Sequence, residues 1–137
     1  MPGVKIVFGR RLICGRRGFA FIITHNWKFY DMTKIAFISD IHGNFPALEA
    51  VAAALEEEAC DCILCLGDIV GYGPWPAECV DFIRQNNIQT VLGNHDEYVT
   101  LLMDPRVERL REEIQIAIGW TQSQLSMDAL YWLAKLP

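Results

Sequence analysis

The chain has 137 residues, is 52% apolar and has a mean hydropathy of +0.17, so it holds one domain with a core of its own and is not a disordered polymer. Its net charge of −5 joins two unlike parts: residues 1–31 carry six Lys/Arg (Lys5, Arg10, Arg11, Arg16, Arg17, Lys28) against Asp31 alone, and the remainder is strongly acidic. The acidic body argues against nucleic acid as a dedicated partner, and no apolar run approaches the ~20 residues of a membrane span.

Residues 1–31 read as a non-native or leader-like extension. Arg16-Arg17-Gly18-Phe19 faintly resembles a twin-arginine export signal, but the apolar stretch Phe19 to Ile23 is shorter than the ~7–15 residues that a signal needs. Met32 stands directly before Thr33-Lys34-Ile35, where the first strand is expected, and is the preferred start of the domain, residues 32–137. An added strand in the leading segment is the alternative.

From Lys34 the pattern alternates strand and helix. A strand over Lys34 to Ser39 is followed by a helix opening at Pro46, a favoured first-turn residue, with Ala47, Leu48, Ala50, Val51, Ala54 and Leu55 as its apolar face. The run Glu56-Glu57-Glu58 at its end reads as a solvated face. A second strand over Cys62 to Leu66 leads through the aromatic loop Gly71-Tyr72-Gly73-Pro74-Trp75-Pro76 to a helix over Ala77 to Gln85 with Cys79, Phe82 and Ile83 inward. Ile88 to Leu92 is the third strand. Helices alone follow: one over Arg109 to Leu125 with Leu110, Ile114, Ala117, Ile118 and Leu125 inward, and one capped by Ser126 with Leu130, Leu133 and Leu136 inward and Tyr131 and Trp132 widening the face.

Five cysteines (Cys14, Cys60, Cys62, Cys65, Cys79) are an odd number, three of them within six positions. This suits a reducing, cytoplasmic compartment better than a disulfide framework. Cys62 and Cys65 are three apart on a strand and point to opposite faces, and no second Cys/His pair completes a zinc site, so small buried hydrophobe is the expected role.

Each strand ends in polar residues: Asp40-Ile41-His42 after the first, Gly67-Asp68 after the second, Gly93-Asn94-His95-Asp96 after the third. A strand, crossover helix and next parallel strand take roughly 30 residues, and the tips are spaced accordingly. They therefore gather at one edge of a parallel sheet, where open α/β sheets bind ligands. Taken singly, each has an ordinary reading: Asp40 as a turn cap, His42 and His95 as surface residues, Asp68 and Asn94 as turn formers. Their coincidence favours metal. Asp40 and His42, two apart at a strand end, would face one side; Asp68 adds a second carboxylate and Asn94 a neutral oxygen. Hard oxygens with imidazole suit Mn, Fe, Zn, Co or Mg, and two such ions ~3.5–4 Å apart can activate water and clamp a phosphoryl group.

In this order the three tips resemble the first three motifs of the calcineurin-like metallophosphoesterases, and Ser39 to Asn44 with Leu66 to Pro74 is most similar to the small bacterial and archaeal phosphodiesterase branch. The resemblance spans residues 32–137. It implies an α/β fold, the parallel βαβαβ half of an α/β/β/α sandwich followed by two or more helices. It also implies two divalent metal ions: Asp40 and His42 on the first, Asp68 bridging both, Asn94 on the second. His95 would contact the scissile phosphate and protonate or stabilise the leaving oxygen, with Asp96 orienting its ring. The implied reaction is hydrolysis of a phosphomonoester or phosphodiester, small molecule or nucleotide, by a metal-bound hydroxide.

The family adds further histidine ligands downstream, two in a Gly-His-x-His motif, whereas this sequence contains only His25, His42 and His95. The expectation is therefore an N-terminal half of such an enzyme, with incomplete ligand sets and activity in doubt. A non-catalytic binding module on the same fold is the alternative function, and a chain that does not fold autonomously is the third reading.

Overall fold

The computed structural model describes residues 34–101 and 105–137, together with the strand Lys5–Arg10. Cys14, the Phe19 to Ile23 stretch, His25 and Met32 lie outside the described residues. The sheet has four strands in the order β1 (Lys5–Arg10), β2 (Lys34–Ser39), β3 (Cys62–Cys65), β4 (Gln89–Thr90). β2, β3 and β4 are parallel, with Ile35 opposite Cys62 and Leu64 opposite Gln89. The chain crosses between them through α1 (Phe45–Glu57) and α2 (Pro76–Gln85). β1 lies antiparallel along the full length of β2, from Lys5 opposite Ser39 to Arg10 opposite Lys34. Part of the segment read as an extension thus pairs with the outer edge of the parallel sheet, an edge that would otherwise offer unpaired N–H and C=O groups.

The parallel strands and both crossover helices form where the apolar periodicity places them. α1 starts with Pro46 in its first turn, and the Asn44 Oδ1 accepts the Ala47 N–H at 3.3 Å as its cap. Its buried face is narrower than the alanine pattern suggests: Leu48 and Leu55 are buried, Val51 is half-buried, and Ala50 and Ala54 are exposed. Glu56, Glu57 and Glu58 are exposed, and the Lys34 ammonium pairs with Glu58, holding its carboxyl below the usual value. The third strand is shorter than its sequence implies. Beyond Thr90 the Val91 N–H still reaches the Cys65 carbonyl at 3.1 Å, but the Leu92 N–H donates to the Pro137 carbonyl at 2.8 Å, so Pro137 takes the place of a further ladder rung.

After β4 come α3 (Asn94–Thr100), α4 (Pro105–Glu108), α5 (Glu112–Gln124) and α6 (Met127–Leu133). The single helix expected from Arg109 to Leu125 is broken, because Arg111 is extended at ψ 146° and forms the N-terminal boundary of α5. The Gln115 side chain donates to the carbonyls of Glu108 (3.1 Å) and Leu110 (2.7 Å), satisfying groups the break sets loose. Ser126 caps α6 as predicted, its Oγ accepting the Ala129 N–H at 3.1 Å. Tyr131, however, is exposed and lies under the Lys135 ammonium, 4.1 Å from ring centre to nitrogen, instead of widening the inner face.

One apolar cluster joins sheet and helices: Ala36, Ile38 and Cys65 from the strands, Leu48 and Leu55 from α1, Cys79, Val80 and Ile83 from α2, Val99 from α3, and Ile118, Ala129 and Leu133 from α5 and α6. Cys65 and Cys79 are small buried hydrophobes, as predicted, and Cys60 and Cys62 are half-buried; none of the four is in a disulfide among the described residues. Burial pushes the Cys65 thiol up to about 11 and Cys79 up to about 12. No helix among the described residues is long and apolar enough to cross a membrane.

Two measurements check this packing. Ile118→Ala is expected to cost about 2–5 kcal/mol in denaturant unfolding, and Ile116→Ala, on the exposed side of the same helix at 64% exposure, at most about 0.5 kcal/mol; equal costs would place α5 the other way round. In the native protein at pH 8, a thiol reagent should modify Cys60 and Cys62 well before Cys65 and Cys79, whose thiols are both buried and far from ionisation.

Candidate metal centre

The site is built where β2 and β3 end. Both turns run backbone against backbone: the His42 N–H donates to the Asp68 carbonyl (2.9 Å), Gly43 N–H to the Ile69 carbonyl (2.8 Å), Gly73 N–H to the His42 carbonyl (2.8 Å), and Trp75 N–H to the Gly43 carbonyl (3.0 Å). This approach leaves no room for side chains at the crossing points. A Cβ on Gly73 would stand 2.4 Å from the His42 carbonyl oxygen, and one on Gly93 would stand 2.1 Å from the Asp68 nitrogen.

Within this frame Asp40, His42 and Asp68 all adopt left-handed backbone conformations, with φ of 58°, 50° and 55°. Left-handed geometry costs an ordinary L-residue roughly 1–2 kcal/mol, and such strain gathers at functional sites. It also explains the convergence of Asp40 and His42. β2 ends at Ser39, so strand alternation does not bring them together; two successive left-handed positions around Ile41 do.

The ligand atoms of Asp40, His42 and Asp68 lie within 4.8 Å of one another. His42 is 6% exposed, and its Nδ1 is 3.2 Å from the Val70 carbonyl. A carbonyl oxygen can only accept, so in the neutral ring Nδ1 carries the hydrogen and Nε2 presents a lone pair. That Nε2 is 3.9 Å from Asp40 Oδ1. A metal ion between the two atoms would bind both, and the backbone carbonyl behind the imidazole is the usual support of a metal-binding histidine. The three donor atoms thus surround one space, and shifts of up to about an ångström would bring them to the metal–ligand distance of about 2.1 Å. The donor set, two carboxylates and an imidazole, fits Mn, Fe, Zn, Co or Mg.

His95 joins this group from α3. Its backbone N–H donates to Asp68 Oδ1 at 3.0 Å, and its ring meets that of His42 edge-on, with centroids 4.8 Å apart at 83°. A Cβ on Gly71 would stand 3.0 Å from its Nδ1, so this nitrogen packs over the glycine backbone. Burial, then the neighbouring His42, hold the His95 ring below the ordinary histidine value against the opposite pull of Asp68 and Asp40. Asn94 is exposed and opens α3 immediately before His95, one residue from the Asp68 carboxylate's hydrogen bond.

Asp96 does something other than orient the His95 ring. It is fully buried; Oδ1 accepts the N–H groups of Ile69 (2.9 Å) and Val70 (3.0 Å), and Oδ2 accepts that of Gly93 (3.1 Å). It therefore ties the turn after β3 to the start of α3. Burial pushes its carboxyl up to about 6 even though three N–H donors favour the anion.

Residues 33–135 match the calcineurin-like phosphoesterase family along their whole length. The chain belongs to the calcineurin-like phosphoesterase family. It is 44% identical over 105 residues to uncharacterized protein MJ0912 of Methanocaldococcus jannaschii, covering 77% of this chain and 42% of that protein. It is 26% identical over 110 residues to phosphodiesterase YfcE of Escherichia coli, covering 73% of this chain and 55% of the relative. The crystal structure of a metallophosphoesterase from Sphaerobacter thermophilus superposes with a TM-score of 0.60 at 41% identity, covering 77% of this chain and 42% of that one. The chain thus spans about half the length of the relatives it matches. Over that span its architecture is the α/β arrangement of parallel strands and helices of the phosphoesterase structure.

Two features of this cluster escape a reading of residue types alone. One is the aromatic enclosure of His95, with the Tyr72 ring 4.8 Å away and the Tyr98 ring 6.4 Å away. The other is the pairing of glycines across the turns; the crowding of Gly67, Gly71, Gly73 and Gly93 was the available signal. Asp96→Ala is expected to strand buried N–H groups at about 1–3 kcal/mol each, read as a lowered denaturation midpoint. Gly93→Ala should abolish metal binding by displacing Asp68, seen by calorimetric titration with Mn²⁺; unaltered binding would show that the turns are not locked.

Proposed function

We propose that this chain carries the ligand and acid–base arm of a metal-dependent phosphoesterase that hydrolyses a phosphomonoester or phosphodiester. The observation that carries it is the meeting of the His42 Nε2 with the Asp40 and Asp68 carboxylates beside a second imidazole, that of His95, whose ring centre lies 4.8 Å from that of His42. Asp40 and His42 would hold a first divalent ion, Asp68 would serve two, and Asn94 would hold the second. Such ions supply a more acidic bound water and offset the charge of the phosphoryl group.

The remaining work falls to the chain's own residues. His42 keeps its Nδ1 proton on the Val70 carbonyl, which fixes the ring for ligation. His95 has Nδ1 packed over Gly71, and its Nε2 would hydrogen-bond the substrate's ester oxygen and stabilise the charge that develops there as the bond breaks. Asp68 anchors His95 through its backbone N–H, and Asp96 sets the distance between α3 and the β3 turn. The name of the E. coli relative, a phosphodiesterase, supports a phosphate-ester or nucleotide substrate. The family match over residues 33–135 supports residues 32–137 as the phosphoesterase unit, with residues 1–31 as an extension to it. The odd number of cysteines, three of them within six positions, supports a reducing, cytoplasmic setting.

The binding-module alternative is disfavoured by the left-handed conformations kept at three non-glycine ligand positions, which a mere scaffold would relieve. The test is hydrolysis of bis(p-nitrophenyl) phosphate by the full chain. Turnover should require Mn²⁺ or a similar ion and vanish in His42→Ala and Asp68→Asn. His95→Gln should lose about 10²–10⁴-fold in kcat while still gaining thermal stability from the metal. Metal-independent turnover, or a His95→Gln variant as active as the parent, would overturn the proposal; metal-dependent stabilisation with no turnover would favour the binding module.

A further inference from the structure

Tyr72 is not used by the chemistry above, yet the fold invests in its placement. Its backbone is left-handed at φ 56° and follows Gly71 at φ 96°. Outside glycine this region is sparsely occupied, and for a bulky aromatic it is an outlier. The conformation is clamped by Gly73, whose N–H lies 2.7 Å from the Gly71 carbonyl and 2.8 Å from the His42 carbonyl. The result is a phenol ring turned over the site, 5.1 Å from the His42 ring and 4.8 Å from the His95 ring.

A ring placed only to shield His42 would be buried against it. Tyr72 is instead 55% exposed, and three residues on in the same loop Trp75 is 39% exposed. One part of the tyrosine braces the two histidines and the rest faces open space beside them. We propose that Tyr72 is a specificity-determining residue, an aromatic platform on which the flat ring of a phosphate ester, nucleobase or aryl group, stacks while the phosphate lies at Asp40, His42, Asp68 and His95. The proposal rests on the phosphoesterase reading for the position of the phosphate. Stacking on an aromatic side chain tolerates any flat π-system, because every such ring offers a face; the shared chemistry is therefore a flat aromatic ring carried by the phosphate ester, directly as in an aryl ester or through the sugar as in a nucleotide.

The experiment is equilibrium binding to the full chain in Mn²⁺ of adenosine monophosphate, phenyl phosphate and methyl phosphate, by calorimetry, for the parent, Tyr72→Phe and Tyr72→Leu. The parent should prefer the aromatic ligands over methyl phosphate by about tenfold or more. Tyr72→Phe should keep that ratio and Tyr72→Leu should bring it close to one, with unchanged circular dichroism. Tight phenyl phosphate binding would assign any flat ring, and preference for adenosine monophosphate alone a nucleobase; either supports the platform. A parent ratio near one, a ratio that survives Tyr72→Leu, a ratio lost in Tyr72→Phe, or a parent that binds none of the three overturns it. The phosphoesterase reading fails separately, through absent metal-dependent turnover in a parent whose aromatic preference is intact.

Discussion

Everything at the candidate centre depends on the backbone-to-backbone contact between the turn after β2 and the turn after β3. Four inter-turn hydrogen bonds of 2.8–3.0 Å close it, and the glycines at 43 and 73 make the approach sterically feasible. A second junction of the same kind joins Gly93 to Asp68, held from beneath by the buried Asp96 carboxylate. With the two junctions in place, three segments far apart in sequence are fixed relative to one another to within a side chain's freedom. A metal centre needs that: its ligands must be in position before the ion arrives if binding is not to be spent on ordering the chain.

The locking accounts for both the strain and the electrostatics of the site. Left-handed turns at Asp40, His42 and Asp68 are tolerated because the hydrogen-bonded frame overrides their local cost. The same frame sets the Val70 carbonyl behind His42, which leaves Nε2 as a lone pair towards two carboxylates. His95 stacks edge-on against this imidazole with its basicity reduced. The donors so arranged suit a divalent cation, and in the proposed function a phosphoryl group is the anion that such a centre would bind.

Much of this was readable in the residues. The spacing from Asp40 to Asp68 to Asn94 predicted successive parallel units, because a crossover helix has a minimum length, and β2, β3 and β4 are parallel. The apolar-run-then-polar-tip pattern picked out Asp40, His42 and Asp68, whose donor atoms the fold brings together, and the order of the three tips carried the family. What was hidden lies in tertiary contact. Asp-x-His on a strand predicts two side chains on one face; here the same outcome comes from left-handed turns that no local pattern announces. Asp96 looked like a partner for its neighbour His95, yet the N–H groups it accepts belong to Ile69, Val70 and Gly93, two of them on a different turn. The break before α5 arises at Arg111, a residue of high helical propensity, so no local pattern announces it. Tyr131 continued the apolar face in sequence but turns outward to meet Lys135. The antiparallel strand Lys5–Arg10 sits in a stretch whose composition reads as a leader, because pairing to an open sheet edge needs backbone groups and little else.

The measurement that tests the central claim most directly is an anomalous diffraction map from crystals of the full chain equilibrated with Mn²⁺. The account predicts a peak within bonding distance of His42 Nε2, an Asp40 oxygen and an Asp68 oxygen. A map with no peak there, or with the only peaks at the exposed Glu56–Glu58 run or the half-buried Cys60 and Cys62, would contradict it.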